Sequence, residues 1–197
     1  EKLTQLEMLG FGENQLTEIP KGLEKLTQLK RLFLSANKLT DVKGLEKLTQ
    51  LEMLGFGENQ LTEVPKELEK LRQLRSLGLD GNLLTEVKGL EKLTQLTHLN
   101  LAANKLTDVK GLEKLTQLTW LNLGDNQLTE VPKELEKLRQ LRNLGLHDNK
   151  LTDVKRLEKL TQLKTLHLED NPDLTKAQID ELQKALPGCR IISNATK

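Results

Sequence analysis

Leu29-Lys30-Arg31-Leu32-Phe33-Leu34-Ser35-Ala36-Asn37-Lys38-Leu39 has the form LxxLxLxxNxL, and it decides the fold because it does not stand alone. The phrase EKLTQL begins at 1, 24, 46, 91, 113 and 158, with EKLRQL at 69 and 136. The leucine closing each phrase opens a copy of the pattern, at Leu6, Leu29, Leu51, Leu74, Leu96, Leu118, Leu141 and Leu163. Successive copies are 23, 22, 23, 22, 22, 23 and 22 residues apart. Self-similarity at such a period is the mark of stacked units, none of which can bury its apolar face alone.

Within a copy, Leu-x-Leu at the fourth to sixth positions reads as a short alternating strand, leucines inward and the intervening side chain outward. Stacking the eight copies at about 4.8 Å per strand gives a parallel sheet roughly 34 Å across. The asparagine at 14, 37, 59, 82, 104, 126, 149 and 171 stands where the chain must leave the strand. A buried amide there can pair with backbone groups that a turn leaves free. The tail of each copy is expected to cross the opposite side as a short helical or 3₁₀ segment.

These residues and their spacing resemble the leucine-rich repeat family, and the resemblance covers residues 1 to about 174. The 22-residue copies, with tails such as Leu39-Thr40-Asp41-Val42-Lys43-Gly44-Leu45, are similar to the repeats of internalins and related bacterial proteins. The 23-residue copies carry Pro20, Pro65 or Pro132. The resemblance implies an α/β solenoid: a horseshoe with a concave parallel sheet of eight short strands and short helical or 3₁₀ segments on its convex side.

After residue 174 the period breaks. Thr175 with Gln178 three residues on is a capping-box signature, and Ile179, Leu182 and Leu186 then fall on one helical face. Pro187-Gly188 ends that helix. The expected organisation is an array over 1–174 and a C-terminal cap over 175–197, with a helix at about 176–186 followed by a short strand. At the other end the chain enters its first copy in mid-phrase. Leu3, Leu6, Leu9 and Phe11 should form an open edge, as in an array cut from a longer one or assembled by design. Such an edge invites self-association.

Composition limits the functional classes. Of 197 residues 48 are leucine, only 2% are aromatic, and the formal net charge is +1. There is no electrostatic reason to expect nucleic acid or an anionic membrane as partner, and no apolar run long enough to span a bilayer. A lone cysteine, Cys189, excludes an internal disulfide and a cysteine-rich zinc site. Phosphate loops, nucleotide fingerprints and HExxH are absent, so no catalytic residue, metal ligand or cofactor is assigned. His147, His167 and Glu169 come near each other, but side chains standing about 5 Å apart and parallel on an open sheet do not converge on a metal.

Information therefore lies where the copies differ. The third position reads Met8, Arg31, Met53, Ser76, His98, Trp120, Asn143, Thr165; the fifth reads Gly10, Phe33, Gly55, Gly78, Asn100, Asn122, Gly145, His167. The seventh reads Gly12, Ser35, Gly57, Asp80, Ala102, Gly124, His147, Glu169. These columns should line the concave face, the surface on which repeat proteins bind. Trp120, with His98, Asn100, Asn122 and Asn143 around it, is a candidate anchor, since tryptophan is enriched in interface hot spots. Phe33, with room to lie across Gly10 and Gly55, forms a second spot with Met8, Met53 and Arg31. Phe11 and Phe56 take the inward sixth position.

The expectation is a non-enzymatic module that binds a protein or peptide through this face. Two alternatives stay open: a structural or engineered scaffold without a selected ligand, and the targeting fragment of a larger bacterial protein. Residues 1–19 and 46–64 differ only at Ile19 and Val64, which favours copying over separate selection of Met8 and Met53.

Overall fold

A computed structural model describes residues 3–196; Glu1, Lys2 and Lys197 lie outside the described residues. Nine three-residue strands form one parallel sheet in sequence order. They are β1 (Met8–Gly10), β2 (Arg31–Phe33), β3 (Met53–Gly55), β4 (Ser76–Gly78), β5 (His98–Asn100), β6 (Trp120–Asn122), β7 (Asn143–Gly145), β8 (Thr165–His167) and β9 (Arg190–Ile192). The pairing keeps every copy in phase: Arg31, Met53, Ser76, His98, Trp120, Asn143 and Thr165 face one another in order. The architecture is the leucine-rich repeat horseshoe, with a ninth strand beyond the eight of the array.

The strands occupy positions three to five of each copy, one residue earlier than the Leu-x-Leu reading placed them. The fourth-position leucine is the strand centre. The sixth-position leucine still takes a ladder bond, as Leu34 N–H does to the Gly55 carbonyl at 2.7 Å, but the chain is already turning there. Both leucines are buried in every copy from Leu32 and Leu34 onward, where Phe56 takes the sixth place. At the open end Phe11, expected in the core, is only partly covered, and Leu3 is 60% exposed, because no described residue packs beneath that layer.

The turn out of each strand needs two devices. The residue before the asparagine takes a left-handed conformation, glycine at Gly81 but Glu13, Ala36, Glu58, Ala103, Asp125, Asp148 and Asp170 elsewhere, with φ from 49° to 56°. Strain of this kind persists only where the surroundings over-determine it. The asparagine supplies that constraint. Asn126 Nδ2 donates to the carbonyls of Leu101, Leu123 and Gly124 at 3.0 to 3.1 Å, and its Oδ1 accepts from Leu106 N–H at 3.0 Å. Asn37 to Asn171 repeat this bonding and are buried; Asn14, in the first copy, is exposed and reaches only carbonyls of its own copy.

Among the described residues the convex side carries seven 3₁₀ turns. Where the tail contains glycine, as at Gly44, Gly89 and Gly111 with φ 102°, the turn is three residues long, and a glutamate two residues on accepts the glycine N–H. Glu67, Glu134 and Arg156 replace that glycine in three copies. A side chain at that φ would be strained, so the turn lengthens to five residues, at Lys66–Lys70, Lys133–Lys137 and Lys155–Lys159. A 3₁₀ turn, though narrower than an α-helix, is wider than the strand spacing of about 4.8 Å, so the sheet takes the inside of the curve.

At the C-terminal end, α1 (Lys176–Ala185) closes the stack. Thr175 and Gln178 form a reciprocal capping box: Thr175 Oγ1 accepts from Gln178 N–H, and Gln178 Oε1 accepts from Thr175 N–H at 2.9 Å. Leu182, Leu186 and Cys189 are buried against the last leucine layer, and burial pushes the Cys189 thiol pKa up. Gln183 Nε2 ties the helix to β9 through the carbonyls of Leu186 and Cys189.

Candidate functional site

The strand centres are inward leucines, buried from Leu32 to Leu166, with Leu9 of β1 and Ile191 of β9 partly covered, so the residues before and after each centre project from the opposite, concave surface. The sheet register places Met8, Arg31 and Met53 side by side at one end of that surface, and His98, Trp120 and Asn143 side by side toward the other. Phe33 stands between Gly10 and Gly55, and Asn100 beside Asn122. The candidate residues thus form two groups separated by β4, where Ser76 and Gly78 project little.

Side-chain placement departs from the sequence reading in three respects. Phe33 does not lie across both glycines: its ring leans over Gly55, where an added Cβ would sit 3.2 Å from Cδ1, and the space above Gly10 is open. Phe33 and Trp120 are half-buried rather than fully exposed, Phe33 because its ring leans on Gly55. Exposed apolar surface comes instead from Met8, 53% exposed, Met53, 36%, and Leu83, 40%. Leu83 departs from its column, which otherwise holds Gln15, Lys38, Gln60, Lys105, Gln127, Lys150 and, in the last copy, Pro172.

The third departure concerns the histidines. They do not stand parallel. His147 lies over Gly124, filling the volume a Cβ would need, and meets His167 edge-on at 72° with ring centroids 6.1 Å apart. Glu169 Oε1 is 3.2 Å from His167 Nδ1. A carboxylate only accepts, so Nδ1 donates, and in the neutral ring Nε2 is left as an acceptor. His147 Nδ1 and Glu169 Oε2 are sealed from solvent without a partner among the described residues. No three His, Cys, Asp or Glu side chains among the described residues are arranged to hold a metal ion.

Trp120 forms a ridge between two hollows of the concave face. One, of about 300 Å³, is lined by Ser76, Gly78, Asp80, His98, Asn100 and Trp120. The other, about 170 Å³, is a trough lined by Trp120, Asn122, Asn143, Leu144, Gly145, His147, Thr165 and His167, with the Asn122 amide lying over Gly145. Asn122 is held in the wall by Gly124 N–H, which donates to its Oδ1 at 3.0 Å. Other hollows, of about 400 to 500 Å³, lie along the segments after the asparagine turns and near the chain's C-terminal residues; they contain no aromatic side chain.

Charge differs along the face. Lys30 Nζ donates to Glu7 Oε1 at 2.8 Å, which lowers the Glu7 pKa and raises that of Lys30, so the second-position column neutralises itself near β1 and β2. Near β7 and β8 the same column holds Arg142 and Lys164, both exposed and in no ion pair among the described residues.

Comparison with known proteins agrees with this architecture. Residues 4–47, 72–114 and 94–137 match the family described as Leucine Rich repeats (2 copies), and residues 116–172 match Leucine rich repeat. No curated protein matches the chain in sequence. Among solved structures, internalin C2 of Listeria monocytogenes is 28% identical with a TM-score of 0.87, covering 95% of this chain and 80% of that one. A leucine-rich repeat protein of Leptospira interrogans is 32% identical with a TM-score of 0.77, covering 96% of this chain and 55% of that one. Proteins of this fold commonly bind other proteins. With the repeat pattern, the asparagine ladder and the matched segments in agreement, the chain belongs to the leucine-rich repeat family.

Proposed function

We propose that the chain is a non-enzymatic module that binds a protein or peptide on its concave sheet face, with Trp120 as the central contact. The observation that carries this reading is the position of Trp120, a half-buried indole standing as a ridge between two hollows lined by amides, imidazoles and small residues. An aromatic anchor set by its neighbours loses little conformational freedom on binding, which is why such residues dominate interfaces. His98, Asn100, Asn122 and Asn143 surround it as adaptable hydrogen-bonding groups. Met8, Met53, Phe33 and Arg31 form a second contact, with flexible thioethers that fit varied surfaces.

The test is a selection of phage-displayed random dodecapeptides on the immobilised chain, followed by binding of the enriched peptides to Trp120→Ala. A loss of about 30-fold or more is expected for a hot-spot residue, with an unchanged far-UV spectrum. Equal binding to Trp120→Ala would sink the reading. The scaffold alternative rests on the near-identity of residues 1–19 and 46–64, and it predicts that no peptide is retained in competition with soluble protein.

A further inference from the structure

The trough beside Trp120 has a chemical bias of its own. Its walls include the indole of Trp120, the amides of Asn122 and Asn143, and His167, whose Nδ1 is committed to Glu169 so that Nε2 of the neutral ring can accept. An aromatic ring and acceptors together suit a cation, and a planar guanidinium best. Beyond the His147 end of the trough lie the carboxylates of Asp125 and Asp148, exposed and in no ion pair among the described residues. Asp170 continues this edge, though its Oδ1 already accepts from Asn194 Nδ2 at 2.8 Å.

The opposite edge of the face, over β7 to β9, has the other sign. Arg142 and Lys164 precede β7 and β8, and Arg190 opens β9 beside Thr165. Neighbouring copies stand about 4.8 Å apart, well inside a Debye length of about 8 Å, so like charges along each edge reinforce one another. The field therefore points across the face, along the strands. Nothing similar exists at β1 to β3, where Glu7, Lys30 and Glu52 alternate in sign.

We infer that the C-terminal half of the concave face takes an extended protein segment lying along the strand direction, with a basic side chain, arginine before lysine, in the trough toward Asp125 and Asp148, and an acidic side chain against Arg142 and Lys164. This rests on the concave-face reading above and names the chemistry of its partner. Column two to column eight is six residues, roughly 20 Å at most and less because the chain turns after column five, so the two partner charges stand about four to six residues apart in an extended chain. The segment's charge pattern, and not its net charge, is what the face selects.

The probe is the same dodecapeptide library, panned at low salt on the full chain, with enriched peptides resynthesised. The expected result is a consensus with Arg or Lys four to six residues from Asp or Glu. Binding should weaken roughly 3- to 10-fold on Asp125→Asn/Asp148→Asn, a double variant in which asparagine keeps the left-handed backbone. On Arg142→Glu/Lys164→Glu the peptide should lose affinity, and replacing its acidic residue with lysine should restore it. Enriched peptides that depend on Trp120 but lack a basic residue, or that ignore both double variants, would overturn the charge pattern and leave the concave-face reading standing. Peptides that bind Trp120→Ala equally well, or no enrichment at all, would overturn both.

Discussion

The two ends of the concave sheet are built on one backbone and one buried lattice, yet they carry different surfaces. Around β1 to β3 the outward columns repeat themselves: Met8 and Met53, Gly10 and Gly55, Gly12 and Gly57 recur with the copied segment that contains them. Around β6 to β8 no outward residue at the third position recurs, and Trp120 at the third position, His167 at the fifth and His147 and Glu169 at the seventh all belong to these copies. Identical requirements inside and free variation outside show that the inward lattice is a constant support. Difference between ends is where recognition can be written.

That comparison can be broken at the support first. Leu121 is fully buried at the centre of β6, whereas Leu9, its counterpart in β1, is only partly covered. Leu121→Ala should destabilise by about 3 to 4 kcal/mol and Leu9→Ala by about half of that, read by urea unfolding. Equal losses would mean that the first layer is sealed in solution by something beyond residues 3–196.

Next comes the ladder. Asn126→Ala leaves Leu106 N–H without its partner and takes one of two donors from the carbonyls of Leu101, Leu123 and Gly124, so about 1 to 3 kcal/mol is expected; Asn14→Ala removes exposed bonds within one copy and should cost about 0.5 kcal/mol or less. A matched pair of denaturation curves decides this, and a large loss at Asn14 would contradict the exposed placement.

Side-chain lean gives a smaller contrast. An added methyl at Gly124 collides with the His147 imidazole, while one at Gly10 meets nothing within 4 Å. Gly124→Ala should shift the His147 ring resonances in NMR and cost about 1 kcal/mol; Gly10→Ala should leave every histidine signal in place. Unmoved His147 signals in Gly124→Ala would count against the trough geometry.

The smallest effect lies at the capped end. Burial raises the Cys189 thiol pKa in the folded chain, so the neutral thiol's contribution is complete below the unfolded value of about 8.5 and is lost as pH rises through the raised folded value. Between pH 7.5 and 10, the melting temperature of the native chain should fall slightly further than that of Cys189→Ala. Parallel curves would show that the thiol is not desolvated.

What the sequence made legible is what every copy needs alike. The period located each strand to within one residue, and the asparagine column announced its ladder, because only a side chain with both donor and acceptor can serve a turn that leaves carbonyls and an N–H unpaired. The one-residue offset arose because the sixth-position leucine is as inward and as ladder-bonded as a strand residue, although the chain bends there. The lean of Phe33 toward Gly55, the edge-on meeting of His147 and His167 and the half-burial of Trp120 were not legible. They depend on which neighbour lacks a Cβ and on rotamers, and a column of letters holds neither. Leu83 was in plain view among glutamines and lysines, but it lies outside the strand columns where variation was sought.

The asparagine ladder has a consequence for how such a chain can change. Each Asn Oδ1 reaches back only to the copy immediately before it, as Asn59 does to Leu39 and Asn82 to Leu61. A whole copy can therefore be lost or doubled, and the bonds on either side of the junction re-form with the new neighbour. The sheet would grow or shrink by about 4.8 Å, and two surface groups on opposite sides of the junction would move apart or together by that step. Groups on the same side, such as Trp120 and Asp148, would keep their spacing, so this protein could adjust its reach without rebuilding its grip.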